Sequence, residues 1–160
     1  ELLGTAGAVR RLESYFAETF VLAYGDVLTD LDISAMVQHH REKGGLATIA
    51  VHRVPDPSEK GVVEVTAEGR VTRFVEKPAR GEATGNLVNA GVYVLEPTIV
   101  SHIPVGQPYD FGKGLFPQLL AVNLPIWVYP ITSYLLDIGS PRAYEQAQAD
   151  AAEGRWVAPC

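Results

Sequence analysis

The chain has 160 residues, 47% of them hydrophobic and 20% charged, which is enough apolar material for the core of one ordinary domain and too much for a disordered or fibrous class. Its 13 Lys and Arg against 19 Asp and Glu leave a formal charge of −6, spread without a basic cluster, which argues against nucleic acid or an anionic membrane as the main partner. A single cysteine, Cys160, excludes a disulfide framework, no apolar run approaches the ~20 residues of a membrane span, and Glu1-Leu2-Leu3-Gly4 is neither a signal peptide nor an initiator methionine, so the chain is expected to begin inside a longer, cytoplasmic protein.

In chain order, Thr5 is positioned to cap a helix that carries Val9 and Leu12 on one face toward Tyr15, and Phe20 to Tyr24 reads as a short buried strand. Asp32 precedes a helix whose Ile33, Met36, Val37 and His40 recur at i, i+3, i+4 and i+7, and Gly44-Gly45 stop it. Leu46 to His52 predicts another buried strand. Val63 and Val65 alternate with polar residues, Ala67 to Arg70 turns, and Val71 to Glu76 returns, the pattern of a hairpin ended by Pro78. The Gly81 to Gly85 stretch reads as a loop. Leu87 to Leu95 is the clearest strand, with Val88, Ala90, Val92 and Val94 on one face and Leu87, Asn89, Gly91 and Tyr93 on the other. A short helix opens at Pro97 and a second spans about Gly114 to Val122. Ile126 to Ile131 and Tyr134 to Ile138 read as strands, and Ser140-Pro141 starts a last helix. This alternation, with one inserted hairpin, predicts an α/β sheet with helices on both faces, in a domain over residues 1–152 followed by a tail at 153–160.

Asp26 follows an apolar strand and Gly25, at the strand end where open α/β sheets build ligand crevices. Asp137 stands in the mostly apolar Tyr134–Ile138 run. If both face one crevice, they suit a divalent cation shared with phosphates. The competing reading has Asp26 ordering a turn and Asp137 capping Gly139-Ser140. Lys77 of Glu76-Lys77-Pro78 can meet a phosphate or simply stand in solvent, and Asn89 needs hydrogen-bond partners from backbone or from a ligand hydroxyl. The small residues of Leu3 to Ala8 bring a helix N-terminus that can face an anion or a base edge. Gly106 to Lys113 lacks the spacing and the Ser/Thr of a phosphate loop, the four histidines lack metal-ligand spacing, and no Gly-x-Ser-x-Gly elbow occurs. Asp32 of the Asp30/Asp32 pair is assigned to helix capping.

Taken in order, Leu3-Gly4-Thr5-Ala6-Gly7-Ala8, Gly25-Asp26, Phe74-Val75-Glu76-Lys77-Pro78, Asn89-Ala90-Gly91-Val92-Tyr93, Leu115-Phe116-Pro117 and Asp137-Ile138-Gly139-Ser140-Pro141 resemble the nucleotidyltransferase family of sugar-nucleotide pyrophosphorylases. Phe111 to Leu120 and the Asp137–Pro141 ending look most like its bacterial mannose-1-phosphate guanylyltransferases. The resemblance implies a Rossmann-like, glycosyltransferase-A-type mixed sheet. It further implies that Gly4, Thr5 and Gly7 lie against the nucleotide, that Asp26 and Asp137 bind Mg2+, that Glu76 and Asn89 contact the sugar, and that Lys77 contacts the sugar 1-phosphate. The implied reaction takes a nucleoside triphosphate and a sugar 1-phosphate to a nucleotide sugar and pyrophosphate. Leu135 stands where the family commonly has tryptophan. The family's leading strand and Gly-rich loop, with its Arg and Lys, have no counterpart before Glu1, so the chain by itself is expected to be inactive and, with apolar edge surface exposed, to pair with itself as a homo-oligomer or to aggregate. A non-catalytic sugar-nucleotide-binding module of the same fold is the alternative, and a glycosyltransferase using Asp30-Leu31-Asp32 comes third.

Overall fold

A computed structural model describes residues 2–79, 81–82 and 84–156. Ala83 of the Gly81–Gly85 loop and residues 157–160 of the expected tail lie outside the described residues. The elements are helix α1 (Gly4–Arg10), strands β1 (Phe20–Ala23) and β2 (Val27–Thr29), helix α2 (Ile33–Lys43), strands β3 (Ala47–Arg53), β4 (Gly61–Val65), β5 (Val71–Glu76) and β6 (Leu87–Leu95), helix α3 (Phe116–Ala121), strands β7 (Ile126–Pro130) and β8 (Leu135–Asp137), and helix α4 (Pro141–Ala152). This is the expected α/β architecture with a mixed sheet.

β6 is the spine. It runs antiparallel to β3 along one side, and on the other side it pairs with β1 through Phe20↔Leu95 to Ala23↔Val92 and with β4 through Val62↔Val88. β7 continues the sheet parallel to β3, and the predicted hairpin β4–β5 closes the other edge. The alternation read from β6 holds: Ala90, Val92 and Val94 pack with Met36 of α2, whereas Tyr93 and Leu95 face Phe111, Leu115, Phe116 and Leu119 and the α1 side. Helices therefore cover both faces of the sheet.

At Gly91 the ladder slips. Ile49 pairs with Tyr93 but Val51 pairs with Asn89, so β6 bulges. Gly91 has φ +73°, and a Cβ there would lie 2.9 Å from the Tyr24 ring. Both the backbone conformation and the space require glycine.

Several predicted features are corrected. Thr5 does not cap α1: Leu3 holds the N-cap position without a side-chain bond, and the cap comes from Asp110, whose Oδ1 accepts from the Thr5 amide at 3.0 Å. The helix stops at Arg10, and Leu12 is exposed. β1 is not buried but alternates between half-buried and exposed residues along a free edge. His40 is not an apolar stripe residue. It is buried as a polar anchor, with Nδ1 2.8 Å from Thr48 Oγ1 and Nε2 3.0 Å from Glu96 Oε1. The predicted Gly114–Val122 helix becomes a π turn over Phe111–Leu115 followed by α3; Pro117 has no N–H with which to continue a regular helix back through that turn. The strand near Asp137 belongs to a separate two-stranded sheet, β2–β8, with Val27↔Asp137 in register. Asp32 and Ser140 do cap α2 and α4, accepting from the Ala35 and Ala143 amides.

Candidate active site

A cleft of about 950 Å³ opens between the β4–β5 hairpin and the β2–β8 sheet. Thr5, Asp26, Glu76, Lys77, Asn89 and Asp137, all expected from the sequence, line it, together with Tyr24, His52, Glu59, Lys60, Asp110 and Lys113. Gly4 and Gly7 lie outside this lining. They let α1 approach the 107–110 segment, since a Cβ on Gly4 would meet the Tyr109 carbonyl oxygen at 2.7 Å and one on Gly7 the Gln107 carbonyl oxygen at 3.0 Å. The amides of Ala6 and Gly7 donate to Tyr109 O at 2.9 and 3.0 Å. Three amides at the helix N-terminus, those of Thr5, Ala6 and Gly7, are thus engaged within the chain, on the Asp110 carboxylate and the Tyr109 carbonyl.

Asp26 and Asp137 converge. Asp26 sits just before β2 and Asp137 ends β8; the Ile138 amide donates to the Asp26 carbonyl at 2.8 Å. Both carboxylates flank Gly139: a Cβ built there would lie 3.1 Å from Asp137 Oδ1 and 3.2 Å from Asp26 Oδ2. Glycine leaves open a space between two hard oxygen donors, which suits a cation that takes its remaining ligands from water and phosphate. Among the described residues no third His, Cys, Asp or Glu joins them as a closed metal cage. Asp137 also makes the local bond of the competing reading, accepting from the Gly139 amide at 3.1 Å. Lys60 Nζ donates to Asp137 Oδ2 at 2.9 Å, and this bond above all holds the Asp137 carboxyl below its usual range.

Across the cleft, β5 delivers Glu76 and Lys77. Lys77 adopts φ +49°, a left-handed conformation that is unusual for a side chain longer than Asn or Asp and marks stored strain at the rim. Its Nζ lies 3.4 Å from Glu59. Glu76 receives no hydrogen bond from the described residues, and Gly61 and Gly112 pack directly against its carboxylate. Burial pushes its carboxyl above the ordinary 4.5, with Lys77 and Lys113 pulling partly back. Between 4.5 and that raised value the folded state holds more protons than the unfolded one, so stability falls as pH rises through the window. Glu76→Gln is therefore expected to melt higher than wild type at neutral pH, with the gain vanishing below about pH 4.5; a difference constant across a pH series of thermal melts would show that titration of Glu76 is not its source.

Asn89 is a half-satisfied amide on the cleft wall. Its Oδ1 accepts from the bulged Gly91 amide at 3.0 Å, its Nδ2 donates to Tyr93 Oη at 2.7 Å, and Tyr93 Oη donates to Tyr24 Oη at 3.1 Å. Sequence reasoning missed Tyr24, which looks like core in an apolar run, and Lys60, an ordinary surface lysine until the hairpin brings it to Asp137. Asp32 is used up in capping, which removes the support for a metal motif at Asp30-Leu31-Asp32. Leu135, in place of tryptophan, is partly buried against the core cluster that includes Met36, Ala90 and Ile131.

Known proteins match this arrangement along most of the chain. The Nucleotidyl transferase family model matches residues 1–154. A UTP–glucose-1-phosphate uridylyltransferase of Synechocystis is 41% identical over 150 residues, covering 91% of this chain and 39% of that protein. A probable mannose-1-phosphate guanylyltransferase 2 of Arabidopsis thaliana is 36% identical, covering 90% and 40%. The crystal structure of HddC from Yersinia pseudotuberculosis superposes with a TM-score of 0.76 at 25% identity, covering 94% of this chain and 64% of that one. The chain spans about two fifths of the length of the relatives it matches. Since the family model runs from α1 through the end of α4, taking in both aspartates and the Glu76-Lys77 strand end, this chain belongs to the nucleotidyl transferase family.

Proposed function

We propose that this chain carries the metal and sugar-phosphate side of a sugar-1-phosphate nucleotidyltransferase, which joins a nucleoside triphosphate to a sugar 1-phosphate and releases pyrophosphate. The observation that supports it best is the pairing of Asp26 and Asp137 around Gly139, facing Glu76 and Lys77 across one cleft. A phosphate oxygen of the sugar 1-phosphate attacks the α-phosphorus, the bond to the β-phosphate oxygen breaks, and catalysis consists of positioning and charge neutralisation. A Mg2+ held by Asp26 and Asp137 would neutralise phosphate charge as it develops. Lys77, a mobile point charge at the rim, meets the sugar phosphate. Glu76, whose carboxylate has no hydrogen-bond partner among the described residues, accepts from sugar hydroxyls, and Asn89 offers its remaining N–H and lone pair beside it.

The test is pyrophosphate release by the complete enzyme of which this chain is a part, with Mg2+, a panel of nucleoside triphosphates, and glucose 1-phosphate or mannose 1-phosphate. Lys77→Ala is expected to lower kcat/KM for the sugar phosphate by about 100-fold or more while KM for the triphosphate holds within about twofold, the signature of losing a charged contact to one substrate only. Equal losses toward both substrates would refute the assignment of Lys77. Ligand binding without turnover by the unmutated complete protein would favour a binding module instead.

A further inference from the structure

Lys60 stands at a junction that the reaction as written does not use. It immediately precedes β4, and the Lys77 amide donates to its carbonyl at 3.0 Å, one rung beyond the Gly61↔Glu76 pair. Lys60 and Lys77 are therefore cross-strand neighbours with like charges, an arrangement that repels unless an anion lies between or beside them. Each ammonium now has its own carboxylate, Lys60 on Asp137 at 2.9 Å and Lys77 near Glu59 at 3.4 Å. Among the described residues, Lys60–Asp137 is the one ion pair that crosses the cleft from the hairpin to the β2–β8 sheet.

The carboxylate that Lys60 occupies is one of the two flanking Gly139. A divalent cation carries twice the ammonium's charge and approaches oxygen to about 2.0–2.1 Å, so one seated between Asp137 Oδ1 and Asp26 Oδ2 repels the ammonium on Asp137 Oδ2 and competes with it for the charge of that carboxylate. Both partners of the pair are open to water, Lys60 at 36% and Asp137 at 55% exposure, and ion pairs so exposed are weak and readily exchanged. An ammonium on a four-carbon stem, released from Asp137, is then left beside Lys77 with no carboxylate of its own.

Resting on the function proposed above, we infer that Lys60 is an exchangeable counter-ion of the site: it holds Asp137 while the cleft lacks a divalent cation, and once displaced by one it joins Lys77 in binding the sugar phosphate. The cleft would then take its cation and its phosphate in a coupled manner, because the arrival of one frees the ligand for the other. That is positive linkage between two ligands through one side chain.

Mn2+ affinity, measured from the electron-spin-resonance signal of free Mn2+, reads the first half without turnover. Lys60→Met is expected to bind Mn2+ about fivefold more tightly than wild type, as removal of an exposed competing ion pair predicts. Calorimetry with glucose 1-phosphate reads the second half. With Mn2+ present, Lys60→Met is expected to bind it about tenfold more weakly than wild type, as loss of a charge-assisted contact predicts. Without the metal the two proteins bind it alike, since Lys60 is then engaged on Asp137; Lys60→Arg restores the metal-dependent binding, and Lys77→Met loses binding under both conditions. Mn2+ binding unchanged by Lys60→Met overturns the exchange, as does an equal loss of glucose 1-phosphate with and without metal. Tighter Mn2+ binding by Lys60→Met in a protein that takes no glucose or mannose 1-phosphate would support the counter-ion role and overturn the substrate reading, which keeps the two failures apart.

Discussion

In the complete enzyme, Asp26→Asn and Asp137→Asn are each expected to lower kcat/KM for nucleotide-sugar formation by about 1,000-fold or more, because under the proposed function each removes half of the two-carboxylate cation site on which charge neutralisation would rest. The fold should tolerate both changes. The Asp26 side chain lines the cleft without a hydrogen bond from the described residues, and its backbone carbonyl, which receives the Ile138 amide, is untouched by the substitution. At position 137 an asparagine oxygen still accepts from the Gly139 amide; only the exposed pair with Lys60 is lost. Pyrophosphate release and thermal melting, measured on the same preparations, separate the two effects. Melting temperatures within a few degrees of wild type alongside collapsed turnover are the expected outcome. Turnover within tenfold of wild type for either variant would mean that these carboxylates hold no essential cation.

Phe116→Ala is expected to cost about 3–5 kcal/mol of unfolding free energy, the upper range for truncating a buried aromatic. Phe116 is fully buried, with ring centroids 5.2 Å from Phe74, 5.3 Å from Tyr93 and 5.5 Å from Phe111. These neighbours come from β5, β6 and the π turn, so the surrounding residues cannot collapse into the void without moving sheet against helix. Two of them support the site directly: Phe74 lies two residues before Glu76, and Tyr93 holds Asn89. Urea denaturation should show a lower midpoint at unchanged slope. A cost below about 1 kcal/mol would indicate that the cluster repacks around the loss.

What could be read from sequence followed the range of the forces involved. β6 was legible end to end because its alternation survives the bulge: β3 advances two residues from Ile49 to Val51 while β6 covers four, from Tyr93 to Asn89, and an even slip leaves each side chain on its own face. The hairpin and the caps at Asp32 and Ser140 were legible because their signals are local. β2 was not. Three residues are too few to show a period, and its partner β8 lies at the other end of the chain. The cap of α1 failed for a related reason, since Asp110 supplies from a distance what Thr5 was expected to supply locally, and Thr5 Oγ1 instead accepts from the Phe111 amide at 3.1 Å. The pairing of Asp26 with Asp137 was anticipated by chemistry, as two carboxylates seeking one cation. Lys60 offered no such clue, because a lysine in a polar loop looks the same whether or not a carboxylate awaits it.

The two walls of the cleft belong to different sheets. Asp26 and Asp137 bracket β2–β8, whereas Glu76, Lys77 and Asn89 ride on strands of the main sheet. Under the proposed function, the residues assigned to the bond-making step and those assigned to the sugar are thus mounted on separate pieces of scaffold. Substitutions on the hairpin side that leave Lys60 in place are then expected to retune which sugar is admitted while the carboxylate pair keeps its spacing, which the β2–β8 pairing and Gly139 set. A scaffold divided in this way allows the acceptor to drift over evolutionary time under an unchanged chemistry, and it recommends the hairpin, not the metal side, as the place to begin when redesigning the protein for a new sugar.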